Sequence, residues 1–237
     1  MELYRAFIYR FLSVAFDEPT EESLEALRGG LDDLSLCLSK IGMDFDVKKL
    51  ERLLETFREE ENLLELKGEW NALFGVGLKA PMWETAYEIE KAGRKSHELS
   101  DIEGFYRAFG FEVKQGYEPD GLIAQLEFLA LLLLKINYAK DMGLKEEEKL
   151  TEKAYRDFFR DHLGRWYRLF CELINEYAEV EYYKVLGQLF FSFLELERKE
   201  VPDIVDIERY VMETLQGSSW ECGITGRRPL NPEAPEP

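Results

Sequence analysis

The sequence is poor in the side chains that build metal and redox sites. Its 237 residues include only two histidines and three cysteines. Cys37, Cys171 and Cys222 are far apart and form no Cys-x-x-Cys pair, which argues against a zinc cluster and a disulfide framework. Neither His97 nor His162 stands three residues after a glutamate, so the Glu-x-x-His pattern of a di-iron bundle is absent. We therefore expect no metal, no cofactor and a cytoplasmic location, because reduced cysteines are typical of the cytoplasm.

Motifs that bind phosphate or activate a nucleophile are also missing. The stretch FGVGL at 74–78 has two glycines, but it has neither a preceding strand nor a following Lys-Ser or Lys-Thr. No Gly-x-Ser-x-Gly elbow occurs. The sequence therefore favours a binding protein over an enzyme.

Basic residues are scarce relative to acidic ones. The chain has 30 lysines and arginines against 48 aspartates and glutamates, a formal net charge of −18. This balance argues against nucleic acid, whose phosphates attract a basic surface, and it suits an anionic membrane poorly. It is compatible with a basic partner, or it serves only to keep the protein in solution.

Long apolar runs are absent as well. The longest, at 128–134, has seven residues, whereas a membrane-spanning helix needs about 20. The N-terminal MELYRAFIYRFLS mixes charged and apolar residues and lacks the pattern of a signal peptide. We expect no stable membrane insertion.

Apolar residues at helical spacing are abundant throughout the chain. The segments 120–138 and 179–196 are apolar on almost every side, which is typical of helices buried at the centre of a bundle. No alternating run is long enough for a buried strand. The predicted fold is all-α: a single-domain bundle of about nine to eleven helices with buried central helices.

The expected organisation is two halves of one fold and a tail. Residues 1–116 form the N-terminal helical half and 117–217 the C-terminal half, in which a short helix is predicted over 203–215. Residues 218–237, rich in glycine and proline, are predicted to be a mobile tail. The region of Pro119 lies between the halves as a hinge, so both a monomer and a domain-swapped dimer are compatible with the sequence.

Three motifs carry more specific information: EWNALFGVG at 69–77, YEPDGLIAQLEF at 117–128 and HLGRW at 162–166. Each alone is explained by packing and capping. Together and in this order they resemble the TorD/DmsD/NarJ family. The matched positions are Trp70, Leu73, Phe74, Gly75, Gly77, Pro119, Asp120, Leu126, Glu127, Phe128, His162, Leu163 and Trp166.

The resemblance implies a cytoplasmic all-helical chaperone of molybdopterin oxidoreductases. Such proteins bind the twin-arginine signal peptide of the catalytic subunit, and sometimes its core, until the cofactor is inserted and export begins. The family's Pro-Asp-His histidine is Gly121 here and its first helix glutamate is Gln125. A mechanism that needs an imidazole at this turn therefore does not carry over. Guanine-nucleotide binding has been proposed for some members, but no phosphate loop supports it in this sequence.

A twin-arginine leader presents two guanidiniums and then an apolar stretch, so its receptor should place carboxylates beside an apolar groove. Asp120 and Glu127 are two helical turns apart, roughly 10.5 Å along one face, and Leu131 extends that face. The predicted peptide-binding residues are Trp70, Leu73, Phe74, Trp83, Tyr117, Asp120, Glu127 and Leu131. Pro119, His162 and Trp166 are predicted to be structural members of the motifs.

Local structure offers an alternative for each of these residues. Asp120 could be a helix N-cap, and Glu127 could pair inside the bundle with Arg107 or Arg165. Trp70 and Phe74 could serve core packing alone. Two other functions also stay open: a hydrolase that uses Asp120 and Glu127 as acid and base, and a helical adaptor for another partner.

Overall fold

The computed structural model describes residues 1–75, 77–87 and 95–207. Over these residues it contains ten α-helices, one 3-10 helix and no strand, which confirms the all-α prediction. The elements are α1 (Glu2–Phe16), α2 (Glu21–Gly29), α3 (Leu31–Lys40), α4 (Val47–Thr56), α5 (Glu60–Leu73), the 3-10 helix (Glu84–Ala86), α6 (Lys95–Phe109), α7 (Leu122–Met142), α8 (Lys145–Asp161), α9 (Leu163–Tyr177) and α10 (Glu181–Arg198).

Helix α7 lies at the centre of the bundle, between α1 and α8. Its inward positions, among them Leu126, Leu129 and Leu133, are completely buried. By length and composition α7 could cross a membrane, but 61% of its most apolar window is buried inside the fold. The apolar character of α7 therefore reflects a central core position. Gly143 ends the helix with φ of 70°, the left-handed conformation that glycine adopts without strain.

An aromatic cluster joins the N-terminal helix to the C-terminal ones. The ring of Phe16 lies 5.6 Å from that of Phe170 in α9 and 5.2 Å from that of Phe190 in α10. Phe74, just after α5, packs 5.8 Å from Phe170. One continuous core therefore spans both sides of residue 117, as expected of a single domain.

The segment after Pro202 differs from its prediction. Residues 202–207 are not helical, and Asp203 has a positive φ of 63°. The backbone N–H of Ile207 donates to the Arg165 carbonyl at 2.9 Å, and the Arg198 guanidinium bonds Asp206 at 2.8 Å. The segment is therefore held against α9 and α10, and these contacts replace the local helical ones. Residues 208–215 of the predicted helix and the tail 218–237 lie outside the described residues.

The start of α2 provides a test of local stability. The backbone N–H of Ser23 donates to Thr20 Oγ1 at 3.0 Å, and that of Thr20 donates to Ser23 Oγ at 2.9 Å, a reciprocal capping box. Thr20→Ala should lower the free energy of unfolding by about 1 kcal/mol, measured by urea denaturation. Thr56→Ala is the matched control, since Thr56 only donates to a carbonyl of its own helix. Equal effects of the two changes would contradict the capping role.

Candidate functional site

Two adjoining cavities form one surface groove beside the N-terminal half of α7. The first, about 350 Å³, lies between α1, the segment 111–114 and α7. The second, about 340 Å³, lies between Trp70, Trp83 and the loop before α7. Both cavities are lined by Asp17, Tyr117, Ile123 and Ala124, so they adjoin along these residues. We refer to their combined lining as the groove.

The groove is acidic at its rim and apolar at its floor. Its lining includes two cations, Arg10 and Lys114, and five carboxylates: Asp17, Glu18, Glu112, Glu118 and Glu127. Apolar residues between them include Val14, Phe74, Met82, Trp83, Leu122 and Ile123. A surface of this kind complements a ligand that carries both positive charge and apolar side chains.

Glu127 is held at the groove by two residues of α1. Ser13 Oγ donates to Glu127 Oε1 at 2.5 Å, and the Arg10 guanidinium bonds the other carboxylate oxygen. The sequence suggested Arg107 or Arg165 as the partner, and the structure identifies Arg10 instead because α1 packs beside α7. The Glu127 side chain is 23% exposed and that of Arg10 is 59% exposed. Arg10 can therefore move into solvent and free one oxygen for another guanidinium.

Tyr117 lies where the two cavities meet. Its hydroxyl donates to Asp17 Oδ2 at 2.6 Å, and this hydrogen bond raises the pKa of Tyr117 to about 12. The bond connects the loop before α7 to the end of α1 and orients a second carboxylate toward the groove. Asp17 and Glu127 thus line the same cavity, and each accepts a hydrogen bond from a neighbouring hydroxyl.

The predicted aromatic residues form the floor of the second cavity. Trp70 Nε1 donates to the Phe16 carbonyl at 2.9 Å, and Phe74 belongs to the aromatic cluster of the core. Gly77 allows the chain to turn sharply after α5, since a Cβ there would lie 2.1 Å from the Ala72 carbonyl oxygen. The turn leads to Trp83, which forms an isolated bridge with Gly121. Trp70 and Phe74 therefore pack against the core and line the groove at the same time.

Asp120, Leu73 and Leu131 are placed differently from the groove residues. Asp120 is buried, and its Oδ2 accepts from Thr85 N at 3.0 Å and Thr85 Oγ1 at 2.7 Å. It caps the 3-10 helix; α7 begins at Leu122, with Gly121 as its N-cap. Asp120 and Glu127 therefore do not share a helix face, in contrast to the prediction. Leu73 is fully buried in the core, and half-buried Leu131 lies outside both cavities.

A buried polar network supports the groove from below. Gln125 Nε2 donates to Glu84 at 2.7 Å, and Trp166 Nε1 donates to Gln125 Oε1 at 3.3 Å. His162 Nδ1 lies 3.3 Å from Glu84, and its Nε2 lies 3.4 Å from Asp101. Burial alone would lower the pKa of His162, but contacts with Asp101 and Glu84 outweigh it and raise the pKa to about 9. His162 is therefore charged at neutral pH.

This network also contains a residue that the sequence did not single out. Glu84 is fully buried and links the loop after Trp83 to α7 and α9 through Gln125 and His162. The only sequence signal was its place beside Trp83. Pro119, in the loop before α7, is also held by a hydrogen bond: its carbonyl accepts from the Tyr106 hydroxyl of α6 at 2.8 Å. The motif residues Pro119, His162 and Trp166 thus hold the loop that carries one side of the groove.

Gly121 leaves the groove without an imidazole at the turn before α7. Its φ of −72° is open to any residue, but an added Cβ would lie 3.0 Å from the Glu118 carbonyl oxygen. The groove therefore offers carboxylates and aromatic rings at this turn. Within the described ranges, no group of three His, Cys, Asp or Glu residues is placed to hold a metal ion.

The protein is thus an all-helical bundle with a surface groove lined by carboxylates and apolar side chains. The sequence model of a family described as nitrate reductase delta subunit matches residues 41–172, more than half of the chain. The chaperone protein TorD of Vibrio parahaemolyticus serotype O3:K6 (strain RIMD 2210633) is 28% identical over 207 residues, which cover 81% of this chain and 92% of that protein. The chain belongs to the nitrate reductase delta subunit family, which includes the TorD and NarJ maturation chaperones.

Membership confirms the resemblance drawn from the three motifs. The family consists of non-enzymatic chaperones of molybdoenzyme maturation, so the hydrolase alternative is not supported. The buried position of Asp120 agrees with this, since both of its Oδ2 hydrogen bonds go to Thr85 and the carboxylate does not line the groove.

Proposed function

We propose that this chain is a cytoplasmic chaperone that binds the twin-arginine signal peptide of a molybdopterin oxidoreductase catalytic subunit. It holds the subunit through its leader until the cofactor is inserted and export begins. The observation that carries the proposal is the groove, which combines five carboxylates with an apolar floor. Family membership supports a molybdoenzyme subunit as the client. The chemistry of the groove supports the leader as the part of that client that is bound.

The chemistry of the groove suits paired guanidiniums. A carboxylate accepts two parallel hydrogen bonds from one guanidinium, an arrangement that is stronger than an ordinary hydrogen bond and specific in direction. Glu127 and Asp17 are each oriented by a hydroxyl, which reduces the entropy lost on binding. The arginines of the leader bind at this acidic rim, and the side chains beside them contact Trp83 and Ile123.

The surrounding charge favours encounter with such a leader. The chain has a net charge of −18, and a twin-arginine leader is basic. Complementary charge raises the association rate, and salt screens this effect. We expect the affinity for the leader to fall about tenfold between 0.1 M and 1 M salt, over which the screening length shortens from about 10 Å to 3 Å.

Titration calorimetry of the full chain tests both statements. The ligand is a synthetic twin-arginine leader of a molybdoenzyme catalytic subunit, and the control is a peptide of the same composition in scrambled order. We expect micromolar or tighter binding of the leader, weakened by salt, and much weaker binding of the scrambled peptide. Equal affinities would contradict recognition of the leader, and tighter binding at high salt would mean that apolar contacts alone hold it.

A further inference from the structure

A strip of apolar side chains continues from the groove along the outer face of α7. From Glu127, the residues Leu131, Leu134 and Tyr138 follow at steps of four, three and four, which places them on one helical face. Leu134 is 44% exposed and Tyr138 is 61% exposed, while Leu131 is half-buried. Helix α7 thus presents a row of apolar side chains to solvent as well as to the core.

Helix α1 extends this strip on its side of the groove. The helices are antiparallel: Arg10 and Ser13 contact Glu127 near one end, and Glu2 bonds Lys140 at 2.8 Å near the other. Between these contacts, half-buried Phe7 and exposed Leu3 are on the solvent side of α1. We call Leu3, Phe7, Leu131, Leu134 and Tyr138 the α1/α7 strip.

The strip is an aligned set of apolar side chains on a protein with a net charge of −18. Single exposed leucines are common on soluble proteins, but aligned apolar residues on two touching helices are typical of a binding surface. The strip begins where Arg10 and Glu127 line the groove, so a ligand can occupy both without leaving the surface. From Glu127 to Tyr138 it runs about 16.5 Å, the length of roughly eleven helical or five extended residues.

We infer that the α1/α7 strip binds the apolar segment that follows the paired arginines of the leader. The inference rests on the proposed function and adds an orientation to it. The arginines bind at the acidic rim near Asp17 and Glu127, and the apolar segment runs toward Leu3 and Tyr138. Two features favour this occupant. The leader has its arginines first and its apolar segment next, and the protein has its acidic rim followed by the apolar strip. The strip also begins at the groove, at Glu127.

A double substitution at the exposed positions tests the inference in the full chain. Leu134→Gln with Tyr138→Gln should weaken binding of the complete leader about tenfold. The same variant should bind a shortened leader, which ends just after the arginine motif, as tightly as the unchanged protein does. The matched control is Leu36→Gln with Leu64→Gln, a pair of exposed leucines outside the strip, which should leave both affinities unchanged.

A second readout does not depend on mutating the strip. A photoreactive group at the far end of the leader's apolar segment should crosslink to the region of Leu3 and Tyr138, and a group beside the arginines should crosslink near Tyr117. Thermal unfolding followed by circular dichroism checks that the variants stay folded.

The outcomes separate the inference from the function on which it rests. If the double variant binds the complete leader as tightly as the unchanged protein, the strip is not the site and the inference fails, while leader binding stands. A change in oligomeric state without a change in affinity would make the strip an interface between copies and would also overturn it. If the unchanged protein binds neither leader, the proposed function fails as well.

Discussion

Glu127→Gln should weaken binding of a twin-arginine leader about tenfold and leave the bundle folded. A hydrogen bond to a charged group contributes about 1.5–3 kcal/mol, but part of this is offset because Arg10 must first leave Glu127. A net loss of about 1.4 kcal/mol corresponds to the tenfold change. The fold should tolerate the change, since exposed ion pairs contribute at most about 1 kcal/mol and glutamine keeps an acceptor for Ser13.

Two further variants sharpen this measurement. Glu146→Gln removes the same charge at a side chain that is 90% exposed and is not part of the groove lining, so it controls for net charge. Arg10→Gln should have the opposite effect and raise the affinity severalfold, because it removes the guanidinium that competes for Glu127. Equal leader affinity in Glu127→Gln and the unchanged protein would remove Glu127 from the site.

The free energy of unfolding should fall by about 3 kcal/mol between pH 6 and pH 10 through His162. Its pKa is about 9 in the folded protein, against 6.5 for an unperturbed histidine, and each unit corresponds to about 1.36 kcal/mol. Because the folded pKa is the higher one, the stabilisation is fully present below pH 6.5 and is lost as the pH rises through 9. Burial opposes the charge, so the stabilisation comes from Asp101 and Glu84.

Urea denaturation at a series of pH values measures this effect. His162→Gln keeps a polar side chain at the position but does not titrate, so the difference between the two pH curves isolates the histidine. We expect the curves to separate toward low pH, with the unchanged protein more stable there relative to its value at pH 10. Parallel curves, or an imidazole that titrates near pH 6.5 by NMR, would contradict a charged His162 in the network.

The fold could be predicted from sequence where its causes are local. Helices α7 and α10 were predicted as central because their apolar residues cover almost every side, and the periodicity of a helix is visible in a short window. The segment 203–207 could not be predicted in this way. Its conformation depends on Arg165 and Arg198, which are far away in sequence or on another element.

The same distinction between local causes and tertiary contacts applies to the candidate site. Trp70, Phe74, Trp83, Tyr117 and Glu127, which the sequence singled out, line the groove, and their binding of peptide stays a prediction. The carboxylates in the loops that follow α1 and α6 were missed, because only the tertiary fold brings Asp17 and Glu112 beside Glu127. The sequence also placed Asp120 on one helix face with Glu127. In the structure Asp120 caps a turn at Thr85 instead, and this contact spans 35 residues of sequence.

The central claim is that the groove recognises paired arginines, and it is tested most directly by comparing two leaders that differ only there. Arginine and lysine carry the same charge, but only the guanidinium pairs with a carboxylate through two parallel hydrogen bonds. Titration calorimetry with the Arg-Arg leader should show micromolar or tighter binding, and the Lys-Lys leader should bind at least about tenfold more weakly, the effect of one lost charge-assisted hydrogen bond. Equal affinities for the two leaders, or no heat of binding with either, would contradict the account.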